Sequence, residues 1–154
     1  MNTSLPPDRA IPKWIPIAFL VIALLGFTDA AYLTILHYLE QIPPCSIVDG
    51  CEEVTTSEFS ALFGVPISLF GALYYLFFIG AILFYFDTKN LHTLFFISLV
   101  SITGFLVSLF LLYLQLFVLN ALCLYCLFSL FTSTLLFLIG MRVVVLKKRA
   151  KSYE

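Results

Sequence analysis

Four apolar runs, each long enough to cross a lipid bilayer as a helix, constrain this 154-residue chain more than any other feature. A crossing needs about 20 predominantly apolar residues, and here 62% of the residues are hydrophobic while 11% are charged. We predict spans over residues 14–39, 63–86, 91–119 and 121–146, with a loop over residues 40–62. Because backbone groups in lipid must be satisfied within each segment, we predict an all-α membrane protein, a single domain of four transmembrane helices.

The basic residues predict the orientation of this bundle. All eight Lys and Arg lie before the first span, between the second and third, or at the end of the fourth, whereas the loop over residues 40–62 has five acidic residues and no Lys or Arg. Lys and Arg are enriched on the cytoplasmic side of membranes. We therefore expect a multi-pass membrane protein with both termini in the cytoplasm and the loop outside.

Local patterns refine this prediction. The short apolar run over residues 59–63 predicts a half-helix lying on the membrane surface, within the outer loop. Gly64-Val65-Pro66 is expected to restart the chain as the second helix, with Pro66 near its first turn. Small residues four positions apart, which let membrane helices approach closely, occur as Gly26 with Ala30, Gly64 with Ser68 and Gly104 with Ser108.

The four cysteines are the residues best suited to carry chemistry. Cys45 and Cys51 lie in the outer loop, and Cys123 and Cys126 open the fourth helix on the same face of the membrane. Thiols outside the cytoplasm can be held as disulfides, and four cysteines permit three pairings, among which the sequence does not choose. Two pairs on one face predict a relay that passes disulfides, and hence electrons, between a soluble partner and the membrane.

The Cys-x-x-Cys pair has the features of a reactive dithiol. Cys123 and Cys126, three residues apart, lie on one helix face and can be bridged with little movement of the backbone. The unpaired amides and positive dipole at a helix N-terminus favour the thiolate of Cys123. A structural crosslink and half of a metal site are the alternatives for this pair.

The predicted relay has three steps. A reduced partner attacks the outer-loop disulfide, the loop dithiol attacks the Cys123–Cys126 disulfide, and the resulting dithiol passes two electrons to an acceptor. The sequence has no Gly-rich turn after a strand and no paired His at helix ends, so nothing in it indicates NAD, flavin or haem. A quinone dissolved in the bilayer is the expected acceptor.

The order of these motifs resembles the prokaryotic form of the vitamin K epoxide reductase family. The motifs are Cys45-x₅-Cys51, Ser57, the run Phe-Gly-Val-Pro-Ile-Ser-Leu-Phe-Gly over residues 63–71, and the final Cys-Leu-Tyr-Cys. The resemblance implies four helices around a quinone of the ubiquinone or menaquinone type. It also implies that the loop pair is the shuttle and the Cys-x-x-Cys the active site.

The resemblance further implies a role for each cysteine. Cys45 would meet the partner, Cys51 would exchange with Cys123, and Cys126 would lie nearest the quinone. Many prokaryotic members carry a fused thioredoxin-like domain after the last helix, where this chain ends in residues 147–154. We therefore expect a separate periplasmic thioredoxin-like partner, oxidised to support disulfide-bond formation, and a location in the bacterial inner membrane. A monomer in contact with membrane lipid, without nucleic acid, is expected.

Other polar residues have two interpretations each. Ser57 matches the family's loop serine near the quinone pocket, and could equally be a helix cap. Asn120 could donate a hydrogen bond to a quinone oxygen or cap the fourth helix. Asp29, in mid-membrane, could carry a proton or hydrogen-bond a neighbouring helix. His37 could donate a proton or simply lie at the membrane interface.

Two other classes of protein would use the same thiols differently. A metal-handling membrane protein could build a Cys₄ zinc site from the two pairs, although five residues separate Cys45 from Cys51, against the usual spacing of about two to four. A non-catalytic assembly factor would keep two permanent disulfides.

Overall fold

The computed structural model describes residues 12–42, 54–55, 57, 60–62 and 64–152, and four long helices dominate this part of the chain. They are α1 (Trp14–Tyr38), α2 (Ile67–Thr88), α3 (Leu91–Tyr113) and α4 (Leu124–Ser152). A π-helical turn, Leu114–Leu119, continues α3. Each of the four helices, with α3 taken together with its π-helical turn, contains a stretch long and apolar enough to cross a membrane. The mean hydropathy of these stretches lies between 2.0 and 2.5. The all-α fold with four membrane-spanning helices is thereby confirmed.

A short β-hairpin precedes α2 and replaces residues 61–62 of the half-helix predicted over residues 59–63, whereas Ser60 is helical and donates its N–H to the Ser57 carbonyl oxygen at 2.9 Å. Strand β1 (Ala61–Leu62) pairs antiparallel with strand β2 (Val65–Pro66), and α2 begins only at Ile67. Gly64 lies in the connecting turn with a φ of 81°, a conformation that glycine adopts at no steric cost. The chain therefore reverses here. Phe59 and Phe63 lie outside the described residues, and helical backbone occurs earlier in the loop, at residues 54–55.

The four helices form a closed ring. α1 packs against α2 and α4, and α3 packs against the same two helices. The apolar core fills the half of the ring that holds the α2–α3 turn at residues 89–90; its fully buried members include Phe19, Phe78, Ile82, Leu94, Ile97 and Leu136. The opposite half, where α2 and α4 begin, contains Cys123 and Cys126.

Two glycines allow aromatic rings to lie directly on neighbouring helices. A Cβ atom on Gly26 of α1 would collide with the ring of Tyr75, and one on Gly104 of α3 would collide with the ring of Tyr74. At both positions the small residue makes room for a tyrosine ring of α2. At Gly64, no described residue lies within 4 Å of the Cβ position.

Candidate functional site

Cys123 is the residue immediately before α4 and is its N-cap. Its carbonyl oxygen accepts the N–H of Leu127 at 3.0 Å, which is the first bond of the helix. Its side chain is fully buried, and that of Cys126, one turn along α4, is half-buried. Both are free thiols. The start of α4 therefore brings the two cysteines together at one end of the bundle.

Three hydrogen-bond donors converge on the sulfur of Cys123, which precedes the membrane-spanning segment Leu124–Lys148. The Cys126 thiol donates to it, and so do the backbone N–H groups of Cys126 and Tyr125. The thiol donation from Cys126 has the largest effect; burial opposes it, the two N–H groups assist it, and the pKa of Cys123 falls from 9.0 to about 6. Cys123 thus accepts the amides that Ser or Asp would accept as N-cap, and its thiolate is favoured near neutral pH.

A cavity of about 590 Å³ occupies the half of the bundle next to the cysteines. All four helices line it, as do Val54, Thr55, Ser57 and Ser60 of the loop between α1 and α2, and Cys126 forms part of its wall. Much of the lining is apolar, as at Leu33, Phe70, Val107 and Leu111. A ligand in this cavity would therefore lie against one thiol of the pair.

Two residues of the cavity lining each have a buried polar atom without a hydrogen-bond partner among the described residues. The atoms are Oδ2 of Asp29 on α1 and Oη of Tyr74 on α2. A buried polar group without a partner costs about 1–3 kcal/mol, so a ligand whose polar atoms pair with these two would relieve that cost. The hydroxyl of the next residue, Tyr75, is in contrast 2.7 Å from Thr132 Oγ1.

Some of the predicted site residues line the cavity, and others do not. Ser57 and His37 line the same cavity as Cys126. The Ser57 hydroxyl donates to the carbonyl oxygen of Val54 at 2.9 Å, so its only proton is used within the loop. Asn120 is exposed, has a left-handed backbone (φ 51°) that caps the π-helical turn, and is not among the described residues that line the cavity.

The two loop cysteines, Cys45 and Cys51, lie outside the described residues. Within the part of the chain that is described, no group of three or more His, Cys, Asp or Glu residues could hold a metal ion.

Two residues of the site were not predicted from the sequence. Gln115 is buried and its Oε1 accepts the Cys123 N–H at 3.0 Å. The signal for it was a lone amide in an apolar run, since a polar group at membrane depth needs a partner. Tyr74 had no such signal, because a tyrosine in an apolar span is equally compatible with core packing.

The cavity fits a quinone. A quinone has a flat, largely apolar ring with two carbonyl oxygens that accept hydrogen bonds, and the hydroxyl of Tyr74 is a donor to which no described residue is bonded. A volume of about 590 Å³ lies within the range of about 300–1,000 Å³ usual for small-molecule sites.

A four-helix membrane bundle with a Cys-x-x-Cys pair beside such a cavity defines a redox-active membrane protein. The family model described as "Vitamin K epoxide reductase family" matches residues 17–141, and the chain belongs to this family. No match was found in a comparison with curated proteins. Family membership supports a membrane oxidoreductase in disulfide and quinone redox chemistry.

Proposed function

We propose that this protein is a membrane thiol–disulfide oxidoreductase that oxidises a thioredoxin-like partner and passes the electrons to a quinone, supporting disulfide-bond formation. The observation that carries the proposal is the wall shared by the dithiol and the cavity. Cys126 lines the same cavity as Tyr74 and Asp29, whose Oη and Oδ2 have no hydrogen-bond partner within the described part of the chain. A dithiol and a site for its electron acceptor are thus adjacent.

The exchange between the two cysteine pairs is proposed to proceed through a mixed disulfide. The Cys51 thiolate attacks the Cys123 sulfur of the Cys123–Cys126 disulfide, and the bond to Cys126 breaks. Cys45 then attacks the Cys51 sulfur, so that Cys123 leaves and the loop disulfide is restored. A thiol of low pKa leaves faster, and the three donors at the Cys123 sulfur stabilise it as it leaves.

The second half of the proposed reaction re-oxidises the Cys123/Cys126 dithiol. A quinone bound in the cavity would accept the two electrons and two protons that the dithiol releases. The Tyr74 hydroxyl would hold a ring carbonyl by a hydrogen bond, and apolar residues such as Phe70 would exclude water. Asp29, which interacts electrostatically with Cys123 and lines the cavity, would carry a proton between them.

We further propose that the cysteine end faces outward from a bacterial inner membrane and that both termini are cytoplasmic. Support comes from the basic residues at the opposite end of the bundle. Lys89 lies in the α2–α3 turn, with Nζ 5.5 Å from the centroid of the Phe86 ring, and Lys147 Nζ lies 4.0 Å from that of Phe95. Such basic residues mark the cytoplasmic side. We also propose that the partner is a separate periplasmic protein and that this membrane protein is a monomer.

A quinone-reduction assay tests this function. Purified protein in detergent is mixed with a reduced thioredoxin-like protein and a quinone, and the quinone absorbance is followed. We expect turnover to be lost in Cys123→Ala and Cys126→Ala. Cys45→Ala and Cys51→Ala are expected to lose turnover with the protein substrate and to retain it with dithiothreitol. Wild-type protein that oxidises neither reductant in the presence of quinone would contradict the proposal.

A further inference from the structure

Gln115 holds most of the short segment that connects the π-helical turn to α4. It is buried, with 4% of its surface exposed. Its carbonyl oxygen accepts the N–H of Asn120 and, at 3.1 Å, the N–H of Ala121. Its side-chain Oε1 accepts the N–H of Cys123 at 3.0 Å. One residue therefore binds three of the four backbone N–H groups from residue 120 to residue 123.

The π-helical turn brings these groups within reach of Gln115. A π turn joins residues five apart, and is therefore wider than the four-residue spacing of an α-helix. Here the N–H of Asn120 reaches back to Gln115, and the left-handed backbone of Asn120 then ends the helix. π-helical turns occur frequently at functional sites, and this one adjoins the redox thiol.

The hydrogen bonds of the Cys123 backbone determine which groups contact its sulfur. Its N–H is bound by Gln115 and its carbonyl oxygen by the N–H of Leu127. With both backbone groups held, the residue is fixed at the N-cap, and its sulfur receives the N–H groups of Tyr125 and Cys126. A side chain at the N-cap accepts amides from the second and third residues of the helix, which are these two.

We propose that Gln115 is a positioning residue for the redox thiol: its side-chain oxygen holds the Cys123 backbone so that the Cys123 sulfur meets the amide groups at the start of α4. This rests on the proposed function only in assigning Cys123 to thiol–disulfide exchange. Without that oxygen, the buried N–H of Cys123 loses its partner and the segment is held by the Gln115 carbonyl alone. The Cys123 sulfur then accepts hydrogen bonds from the helix amides for less of the time, and its thiolate is less favoured.

Two substitutions remove the side-chain contact and leave the backbone carbonyl in place. Gln115→Met keeps the length of the side chain without the amide oxygen, and Gln115→Asn keeps the amide but shortens its reach. Thr34→Val is the matched control, because it removes other hydrogen bonds, the buried one from Thr34 to the Ala30 carbonyl oxygen at 2.7 Å and the part-buried one to Ser68 at 3.1 Å. The measurement is the rate of Cys123 alkylation by iodoacetamide as a function of pH in reduced, full-length protein, with the modified residue identified by mass spectrometry.

Both Gln115 variants should raise the midpoint of the Cys123 profile by about one pH unit, a tenfold loss of thiolate well below the midpoint, while Thr34→Val keeps the wild-type midpoint. Folded Gln115 variants with the wild-type midpoint would overturn the proposal. If Gln115→Met does not fold, Gln115→Asn decides by the same criterion. The readout needs neither quinone nor partner, so a failure of the proposed function, seen as no quinone reduction by wild type, is distinguishable.

Discussion

Tyr74 and Tyr75 are consecutive residues of α2, and their hydroxyl groups differ in their hydrogen-bond partners. Tyr75 Oη lies 2.7 Å from Thr132 Oγ1 and donates to the Ser129 carbonyl oxygen at 3.2 Å, so it joins α2 to α4 across the bundle. Tyr74 lines the cavity, and its buried Oη has no hydrogen-bond partner among the described residues. One tyrosine stabilises the bundle, and the hydroxyl of the other stays unpaired within the described part of the chain.

Tyr74→Phe should weaken quinone binding without weakening the fold. The substitution removes a buried hydroxyl that has no partner among the described residues, so the free energy of unfolding should not fall and should rise by up to about 1–3 kcal/mol. Loss of one hydrogen bond to the ligand, worth about 0.5–1.5 kcal/mol, should raise the KM for quinone about 2- to 12-fold. Steady-state kinetics and thermal unfolding in detergent measure the two effects.

Tyr75→Phe and Tyr113→Phe complete this comparison. Tyr75→Phe should lower the free energy of unfolding by about 1 kcal/mol, because it breaks a buried interhelical hydrogen bond. Tyr113, at the end of α3, is 54% exposed, and its Phe variant should resemble wild type in both assays. An unchanged KM in Tyr74→Phe would exclude its hydroxyl as a ligand contact.

Asp29→Asn should slow quinone reduction while leaving the exchange between cysteine pairs intact. The amide keeps the shape of the carboxyl group but does not carry a proton, and the loss of a general acid or base typically costs about 100-fold in rate. The kcat for quinone, and separately the rate at which loop thiols reduce the Cys123–Cys126 disulfide, distinguish the two steps. Asp87→Asn, at an exposed position near the end of α2, is the control. A wild-type kcat in Asp29→Asn would remove Asp29 from the proton path.

The reactivity of Cys123 should depend on pH with a midpoint near 6. Its pKa of about 6 means that the thiolate predominates above this pH and is lost as the pH falls below it, so alkylation slows in acid. Cys126→Ala removes the donor with the largest effect and should move the midpoint upward. Cys126→Ser retains a hydroxyl donor and should move it less. Equal midpoints for wild type and Cys126→Ala would show that the Cys126 thiol does not stabilise the thiolate.

Gly26→Ala should destabilise the bundle, whereas Gly80→Ala should not. The added methyl group at Gly26 would collide with the Tyr75 ring, while nothing lies within 4 Å of the Cβ position of Gly80. We expect Gly26→Ala to cost about 1–3 kcal/mol of unfolding free energy, as overpacking does. Gly80→Ala should be neutral or stabilising by up to about 1 kcal/mol, because alanine is the better helix former. Equal thermal stability of the two variants would contradict this packing.

The helices could be predicted from the sequence because length and hydropathy are sufficient to define a membrane span. The backbone around Gly64 could not be predicted from length and hydropathy. The run before it was apolar enough for a surface half-helix, yet a φ of 81° at Gly64 reverses the chain into a hairpin. The wide turn at Leu114–Leu119 had no sequence signal either, since π- and α-helical ends differ in hydrogen-bond register rather than in composition.

The candidate site was predicted in its chemistry and less well in its contacts. The Cys-x-x-Cys spacing at a predicted helix start was enough to expect an activated Cys123, and its N-cap position agrees with that. The partners of polar residues depend on how the helices rotate against one another, which apolar runs do not specify. Asn120 and Gln115 flank the same helix end, and only the fold shows that Gln115 turns toward Cys123.

The central claim, that the Cys123/Cys126 dithiol reduces a quinone held in the adjacent cavity, is tested most directly in a single turnover. Reduced protein carrying Cys45→Ser and Cys51→Ser is freed of reductant and mixed with excess quinone. Quinone absorbance and the Cys123–Cys126 disulfide, located by mass spectrometry, are then followed together. We predict that one quinone is reduced for each disulfide formed, and more slowly in Tyr74→Phe at low quinone concentration. Thiols that stay reduced in the presence of quinone would contradict the account.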